Sequence, residues 1–279
     1  MPATTARAAW EVPLTFHFEG QQVRYGIAGR GAPLVLIHGT PFSSVVWRRI
    51  APYLTEHRQV FYFDLLGYGR SEMSPGQDVS LGVQGRLLKA LLDHWAIAKP
   101  DVVAHDFGGC TALRACLLGG CEYRSLTLID PVALAPWGSP FVQHVRHHEA
   151  AFAGLPPYIH AAMLSAYIGG AVFRPLREED MQRYMDPWLG EQGQAAFYRQ
   201  IAQMEQRYTD EIESRYDELR CPVMILWGEE DRWIPIERGH ELASRIPTAR
   251  LRPVPAAGHL VQEDAPEAIV AALLGFVGN

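Results

Sequence analysis

Cysteine is scarce in this 279-residue chain, and its placement excludes more than its number does. Cys110, Cys116, Cys121 and Cys221 form no C-x-x-C pair, so neither a zinc site nor a disulfide framework is signalled, and buried free thiols are expected. Long apolar runs are missing too: nothing approaches the ~18 consecutive apolar residues of a membrane span. Met1 to Trp10 lacks a charged stretch followed by an apolar one, so no secretory leader is expected and the chain reads as soluble and cytoplasmic. An excess of one charge is also missing. The 25 Lys and Arg residues and 31 Asp and Glu residues are interspersed, with a net charge of −6. That pattern argues against a nucleic-acid footprint and fits a small neutral substrate better than a polyanion. No internal repeat or low-complexity segment is visible. Neither a metal nor a cofactor is expected, and the chain is expected to be a monomer or homodimer.

Hydrophobic residues, 48% of the chain, fall into strand-like runs that alternate with helical ones. This pattern predicts one large α/β domain or one domain carrying an insertion. Residues 13–19 and 22–28 read as an antiparallel hairpin around Glu19-Gly20-Gln21. Residues 33–37, 59–63, 101–104, 124–129, 222–227 and 249–254 read as strands, the apolar ones as expected of parallel strands covered on both faces. Val46, Trp47, Ile50 and Leu54 recur at helical spacing, with Ser43 or Ser44 placed to cap that helix. Further helices are predicted over about 79–95, 110–118, 236–246 and 266–277. Residues 132–216 break the alternation. They are helical throughout, rich in His, Tyr and Arg and interrupted by Gly and Pro, which predicts a helical cap over a core made of residues 1–131 and 217–279.

The stretch with chemistry is Asp101-Val102-Val103-Ala104-His105-Asp106-Phe107-Gly108-Gly109. It reads as a strand that enters a helix through a tight turn, a variant of the G-x-S-x-G nucleophile elbow in which Ala104 and Gly108 are the small positions and Asp106 is the presented side chain. An ordinary helix N-cap is the competing explanation for Asp106. If the strands share one parallel sheet, then His38-Gly39-Thr40-Pro41, Asp106, Asp231 and His259 all lie on loops at its carboxyl edge, where open α/β sheets bind ligands.

The order Asp106, Asp231, His259 is that of nucleophile, acid and histidine in α/β-hydrolases, and the pattern resembles that superfamily over essentially the whole chain. The resemblance implies an eight-stranded, mostly parallel sheet flanked by helices. An aspartate at the elbow resembles the haloalkane dehalogenases, epoxide hydrolases and haloacetate dehalogenases, and His38-Gly39-Thr40-Pro41 matches their H-G-x-P loop. The run from His38 to Arg48 is most similar to haloalkane dehalogenases. Those enzymes carry tryptophan directly after the aspartate and asparagine or a cap tryptophan as second halide donor, where this chain has Phe107 and Thr40. The haloacetate enzymes carry arginine after the aspartate.

What the resemblance implies is a hydrolase that attacks an sp³ carbon. A carboxylate is already ionised at neutral pH and needs no base to become a nucleophile. Displacement gives an alkyl ester on Asp106. His259 then activates water and Asp231 fixes the imidazole, while the backbone N–H groups of Thr40 and Phe107 serve the oxyanion. His38, Pro41, His105, Trp137, Tyr167, Tyr198 and Trp233 are the further pocket candidates. Three functions stay open: a haloalkane dehalogenase-like hydrolase, an epoxide hydrolase served by cap tyrosines, and a non-catalytic ligand-binding protein on the same fold.

Overall fold

The computed structural model describes residues 10–276; the first nine residues of the expected leaderless terminus and Val277 of the last predicted helix lie outside them. Eight strands form one sheet in the order β1-β2-β4-β3-β5-β6-β7-β8. β1 (Leu14–Phe18) and β2 (Gln21–Gly29) make the expected antiparallel hairpin, and β2 pairs antiparallel with β4 (Arg58–Phe63). The rest is parallel: β3 (Ala32–Ile37) between β4 and β5 (Asp101–His105), then β6 (Ser125–Ile129), β7 (Val223–Gly228) and β8 (Ala249–Val254). Every residue of β5, β6 and β7 is buried, as parallel strands covered on both faces require. Each fully buried Leu, Ile, Val or Phe side chain contributes about 1.5–3 kcal/mol. Positions such as Leu36, Val103 and Ile225 therefore fix the sheet firmly enough for its edge loops to hold strained conformations.

The chain leaves β3 for β4 on one side and returns to β5 on the other. The crevice between the carboxyl ends of β3 and β5 is thus a topological switch point, with Ile37 beside Ala104 in register. Around the sheet run α1 (Ala51–Leu54), α2 (Leu81–His94) and α3 (Phe107–Leu117). Between β6 and β7 lie only helices: α4 (Pro140–His147), α5 (Glu149–Ala153), α6 (Pro157–Gly169), α7 (Glu178–Met185), α8 (Gly190–Ala202) and α9 (Arg207–Glu213), with two short 3₁₀ turns. α10 (Glu237–Arg245), α11 (Val261–Asp264) and α12 (Pro266–Phe276) follow.

Two local readings differ. The helix expected across Val46 to Leu54 is a 3₁₀ turn, Ser44–Arg49, followed by the single turn α1. Pro52 is the reason: inside one continuous helix its ring would meet the carbonyl of Arg48, whereas near the start of a new helix its missing N–H costs nothing. Neither Ser43 nor Ser44 caps this segment through its side chain; Ser44 Oγ instead accepts from Trp10 Nε1 at 3.0 Å.

Candidate active site

Asp106 stands at the junction of β5 and α3 with φ +51° and ψ −116°, a left-handed conformation that a non-glycine residue adopts only when its surroundings enforce it. The surroundings are tight. A Cβ on Gly108 would lie 2.6 Å from the carbonyl oxygens of Ile37 and His38, and one on Gly109 would lie 2.5 Å from Pro131 Cβ. Small residues let α3 press against β3 and β6, and that closeness turns Asp106 outward. The Asp106 carbonyl accepts from the N–H groups of Gly109 and Val132, at 2.9 and 3.2 Å. Its carboxylate is 3% exposed as a residue, and Oδ1 accepts from the Thr40 N–H at 2.7 Å. The N-cap explanation fails on geometry, because the Asp106 side chain makes no cap hydrogen bond to α3.

His259 follows β8 and is fully buried. Its Nδ1–H donates to Asp231 Oδ2 at 2.8 Å, and its Nε2 lies 3.3 Å from Asp106 Oδ2, close but too misaligned for a hydrogen bond. Asp231 is fixed in turn by the N–H groups of Trp233 and Ile234 on its Oδ1, at 2.7 and 3.0 Å. Burial pushes the imidazole pKa down. The charges of Asp231 and Asp106 outweigh that and hold it well above the usual histidine range.

A second acid adjoins this group. Asp130, at the end of β6, is fully buried with φ +42°. Its Oδ1 accepts from the Gly228 N–H at 2.9 Å and its Oδ2 has no partner among the described residues. Burial, and next the neighbouring charge of Asp231, push its pKa well above the carboxylate range. Asp130, Asp231 and His259 bring ligand atoms within 4.8 Å of one another, the one such metal-like grouping among the described residues. The Asp231–His259 hydrogen bond already takes one ligand atom from each of those residues.

Four of the predicted pocket residues brace the site from behind and do not line it. His38 Nδ1–H donates to the Gly39 carbonyl and its Nε2 accepts from the Leu65 N–H at 2.8 Å, tying the loops after β3 and β4 together; burial lowers its pKa and keeps it neutral. His105 Nε2–H donates to the His259 carbonyl at 3.0 Å, and burial with the nearby His259 pushes its pKa down to about 3. It immediately precedes Asp106, and strand alternation sends it to the other face. The Pro41 carbonyl is taken by Trp188 Nε1 at 2.6 Å. Tyr198 donates to His160 Nδ1 at 2.9 Å inside the helical segment, and His160 Nε2–H goes on to the Trp188 carbonyl.

The remaining candidates, Thr40, Phe107, Trp137, Tyr167 and Trp233, meet Asp106 around a cavity of about 50 Å³. At roughly 10–15 Å³ per water-sized probe, that holds on the order of four water-sized groups. Its walls are apolar. Phe107 lies edge-on to Trp137, with centroids 5.8 Å apart, and Trp233 stacks on Tyr167 at 4.6 Å and leans on the His259 ring at 4.9 Å. The Trp137 N–H is used up by Thr209 Oγ1 at 2.9 Å. The Tyr167 hydroxyl and the Trp233 N–H have no partner among the described residues. Val132, Gly138, Ser139, Val142, Met204 and Ile234 complete the walls and carry no motif by which they could have been picked out. Asp130 did carry a signal, an acid closing an apolar strand at the same sheet edge as Asp106.

No helix of the described residues is long and apolar enough to cross a membrane. An alpha/beta hydrolase fold protein from Burkholderia ambifaria is 59% identical, with a TM-score of 0.93 over 95% of this chain and 98% of that one. The 2-hydroxy-6-oxononadienedioate/2-hydroxy-6-oxononatrienedioate hydrolase of Cupriavidus pinatubonensis is 24% identical over 90% of this chain and 89% of its own length. A haloalkane dehalogenase from Bradyrhizobium elkani shares the fold at 22% identity, with a TM-score of 0.79 over 95% of this chain and 97% of that one. Residues 32–266 match the alpha/beta hydrolase fold family as a whole, and by that match and the 59% identical relative this chain belongs to that family and is a hydrolase of it.

Proposed function

We propose that the protein displaces a leaving group from an sp³ carbon of a small neutral substrate, with Asp106 as nucleophile, in the manner of a haloalkane dehalogenase. The observation that carries this reading is the position of Asp106 itself. A carboxylate held at a strained elbow, with one oxygen on the Thr40 N–H and the other 3.3 Å from His259 Nε2, has a donor ready for the oxyanion and a base ready for water. Attack forms a carbon–oxygen bond to Asp106 as the carbon–halogen bond breaks and its electron pair leaves with the halide. Water then adds to the Asp106 carbonyl carbon and gives a proton to His259. The tetrahedral oxyanion is met by the N–H groups of Thr40 and Phe107, and its collapse frees the alcohol.

The histidine's charge times the two steps. In the free enzyme Asp106 helps hold His259 protonated. Alkylation turns that carboxylate into a neutral ester, so one of the charges raising the imidazole disappears and the ring is released to act as base just when hydrolysis needs it. Residues 132–216 are assigned as a cap, because Trp188, Gln200 and Asp180 reach from it to Pro41, Thr40 and Arg48 of the core.

Opening an epoxide by the same nucleophile is the second reading, favoured by the unpartnered Tyr167 hydroxyl in the cavity wall. Substrates bearing carboxylates, such as a haloacetate or the dioates in the name of the Cupriavidus relative, fit less well: no Lys or Arg lines the cavity. Intact-mass spectrometry of His259→Gln and Asp106→Ala tests the proposal against a panel of small halides and epoxides. The expected result is a substrate-sized mass increase in His259→Gln alone. Absence of that adduct, with a substrate the unaltered protein turns over, removes the covalent route. Halide release against diol formation separates the two readings.

A further inference from the structure

The loop that carries His259 is held from two sides. Its carbonyls go to the core: Ala257 accepts from the Glu230 N–H at 2.9 Å, and His259 accepts from His105 Nε2–H at 3.0 Å. Its N–H groups go to residues 171–174 of the cap, directly or through one carboxylate. Leu260 donates to the Ala171 carbonyl at 2.8 Å, and Gly258 donates to Asp264 Oδ2 at 2.9 Å. The same oxygen accepts from the Phe173 N–H at 2.8 Å, while Asp264 Oδ1 accepts from the Arg174 N–H at 3.0 Å. Both chain neighbours of His259 are therefore tied to the segment between α6 and α7.

Asp264, at the end of α11, is 8% exposed and has no part in the chemistry above. Its bonds are charge-assisted, roughly twice as strong as neutral ones, and they join one N–H of the histidine loop to two of the cap. The contact leaves no slack. A Cβ on Gly258 would lie 2.9 Å from both the Ala171 carbonyl oxygen and the Phe173 nitrogen, so backbone meets backbone there. The same stretch of cap reaches the cavity: Tyr167, four residues before Ala171, lines it and stacks on Trp233, whose ring leans on His259 and whose N–H holds Asp231 Oδ1. The Asp106 carboxylate, by contrast, is held by the Thr40 N–H of the core.

We propose that Asp264 is the positioning residue of His259, and that it completes the catalytic base only when residues 171–174 of the cap are seated on the core. This rests on Asp106 as nucleophile, His259 as base and residues 132–216 as cap. The two chemical steps then depend on the cap unequally. Alkylation needs the Asp106 carboxylate alone. Hydrolysis needs the imidazole set beside the ester carbonyl, and the imidazole is set through Gly258 and Leu260.

Rapid-quench intact-mass spectrometry separates the two steps, with n-butyl bromide or propylene oxide as substrate, whichever the unaltered protein turns over. Asp264→Asn keeps the shape of the side chain but turns an N–H₂ group against a backbone N–H. Gly258→Ala leaves Asp264 intact and pushes the cap segment off the histidine loop. Both variants should form the ester at the unaltered rate and hydrolyse it roughly 10²-fold more slowly, the scale for a displacement near 1 Å, so that the adduct accumulates. The NMR signal of His259 Nδ1–H, which reports its bond to Asp231, should shift in both. Equal slowing of the two steps, unchanged hydrolysis in folded Asp264→Asn, or an unmoved Nδ1–H signal overturns the assignment, and Gly258→Ala carries the same discrimination should Asp264→Asn not fold. No adduct with either compound in His259→Gln is a different outcome and removes the nucleophile reading itself.

Discussion

Gly39 lies so close to Asp106 that a Cβ at position 39 would sit 2.4 Å from both Cβ and Oδ1 of the aspartate. No flexible end of a long side chain could yield there, because the contact is with the first atom of a side chain whose backbone is already strained. Gly39→Ala should therefore move the carboxylate off the Thr40 N–H. A displacement near 1 Å costs ~10²-fold in a positioned reaction, so alkylation should fall by at least that much. Stopped-flow halide release measures it, and a wild-type rate in Gly39→Ala would show that the loop yields in place of Asp106.

The two buried acids should respond differently to removal of charge. Burial raises the Asp130 pKa above that of the unfolded chain, which is ~3.9. Its burial thus imposes a stability cost that is absent below that pH and grows as pH rises toward the raised folded-state value. Asp130→Asn removes the cost and should leave the thermal midpoint at neutral pH unchanged or higher. Asp231→Asn should lower the hydrolysis rate by about 10⁴-fold, the scale for loss of a triad acid. A comparable loss in Asp130→Asn would make Asp130 the working partner of His259.

Ester hydrolysis should fall as pH falls. His259 must be neutral to accept a proton from water, so the rate rises by about tenfold per pH unit on the acid side and levels above the imidazole pKa. Because Asp106 no longer raises that pKa once alkylated, the inflection in ester decay should lie below the His259 titration of the free protein followed by NMR. Decay independent of pH would remove His259 as the base.

Cap and core should be separable at one ion cluster. Asp180 on α7 accepts from Arg48 and Arg49 at 2.6 Å each, and the same two arginines pair with Glu263 on α11, four residues beyond His259. With Asp180 nearly buried, Asp180→Ala leaves its share of two guanidinium charges uncompensated and should cost about 3–5 kcal/mol, the scale for breaking a buried pair. Denaturant unfolding measures this, and hydrogen exchange should show the loss concentrated in residues 132–216. A change under about 1 kcal/mol, as for a surface pair, would mean that the cap is held by its apolar contacts alone.

The chain alone determined the architecture and the three residues that meet at the sheet edge. Apolar runs of four or five residues, such as Leu34 to Ile37 and Val223 to Trp227, read as parallel strands buried on both faces. Small residues after a strand at Gly108 and Gly109 mark a close approach wherever they occur. Asp106, Asp231 and His259 were legible for the same reason: each follows a parallel strand, and the carboxyl ends of those strands share an edge. Which neighbours face the cavity was not legible. His38 and His105 sit beside Gly39 and Asp106 in sequence, yet their ring nitrogens go to the backbone of Leu65 and His259. Tyr167 and Tyr198 look alike in the cap sequence, but only packing decides that one faces Asp106 and the other spends its hydroxyl on His160. Gln200, 160 residues from Thr40, announces nothing in sequence, because hydrogen-bond supply and demand in a buried site is a property of the assembled groups.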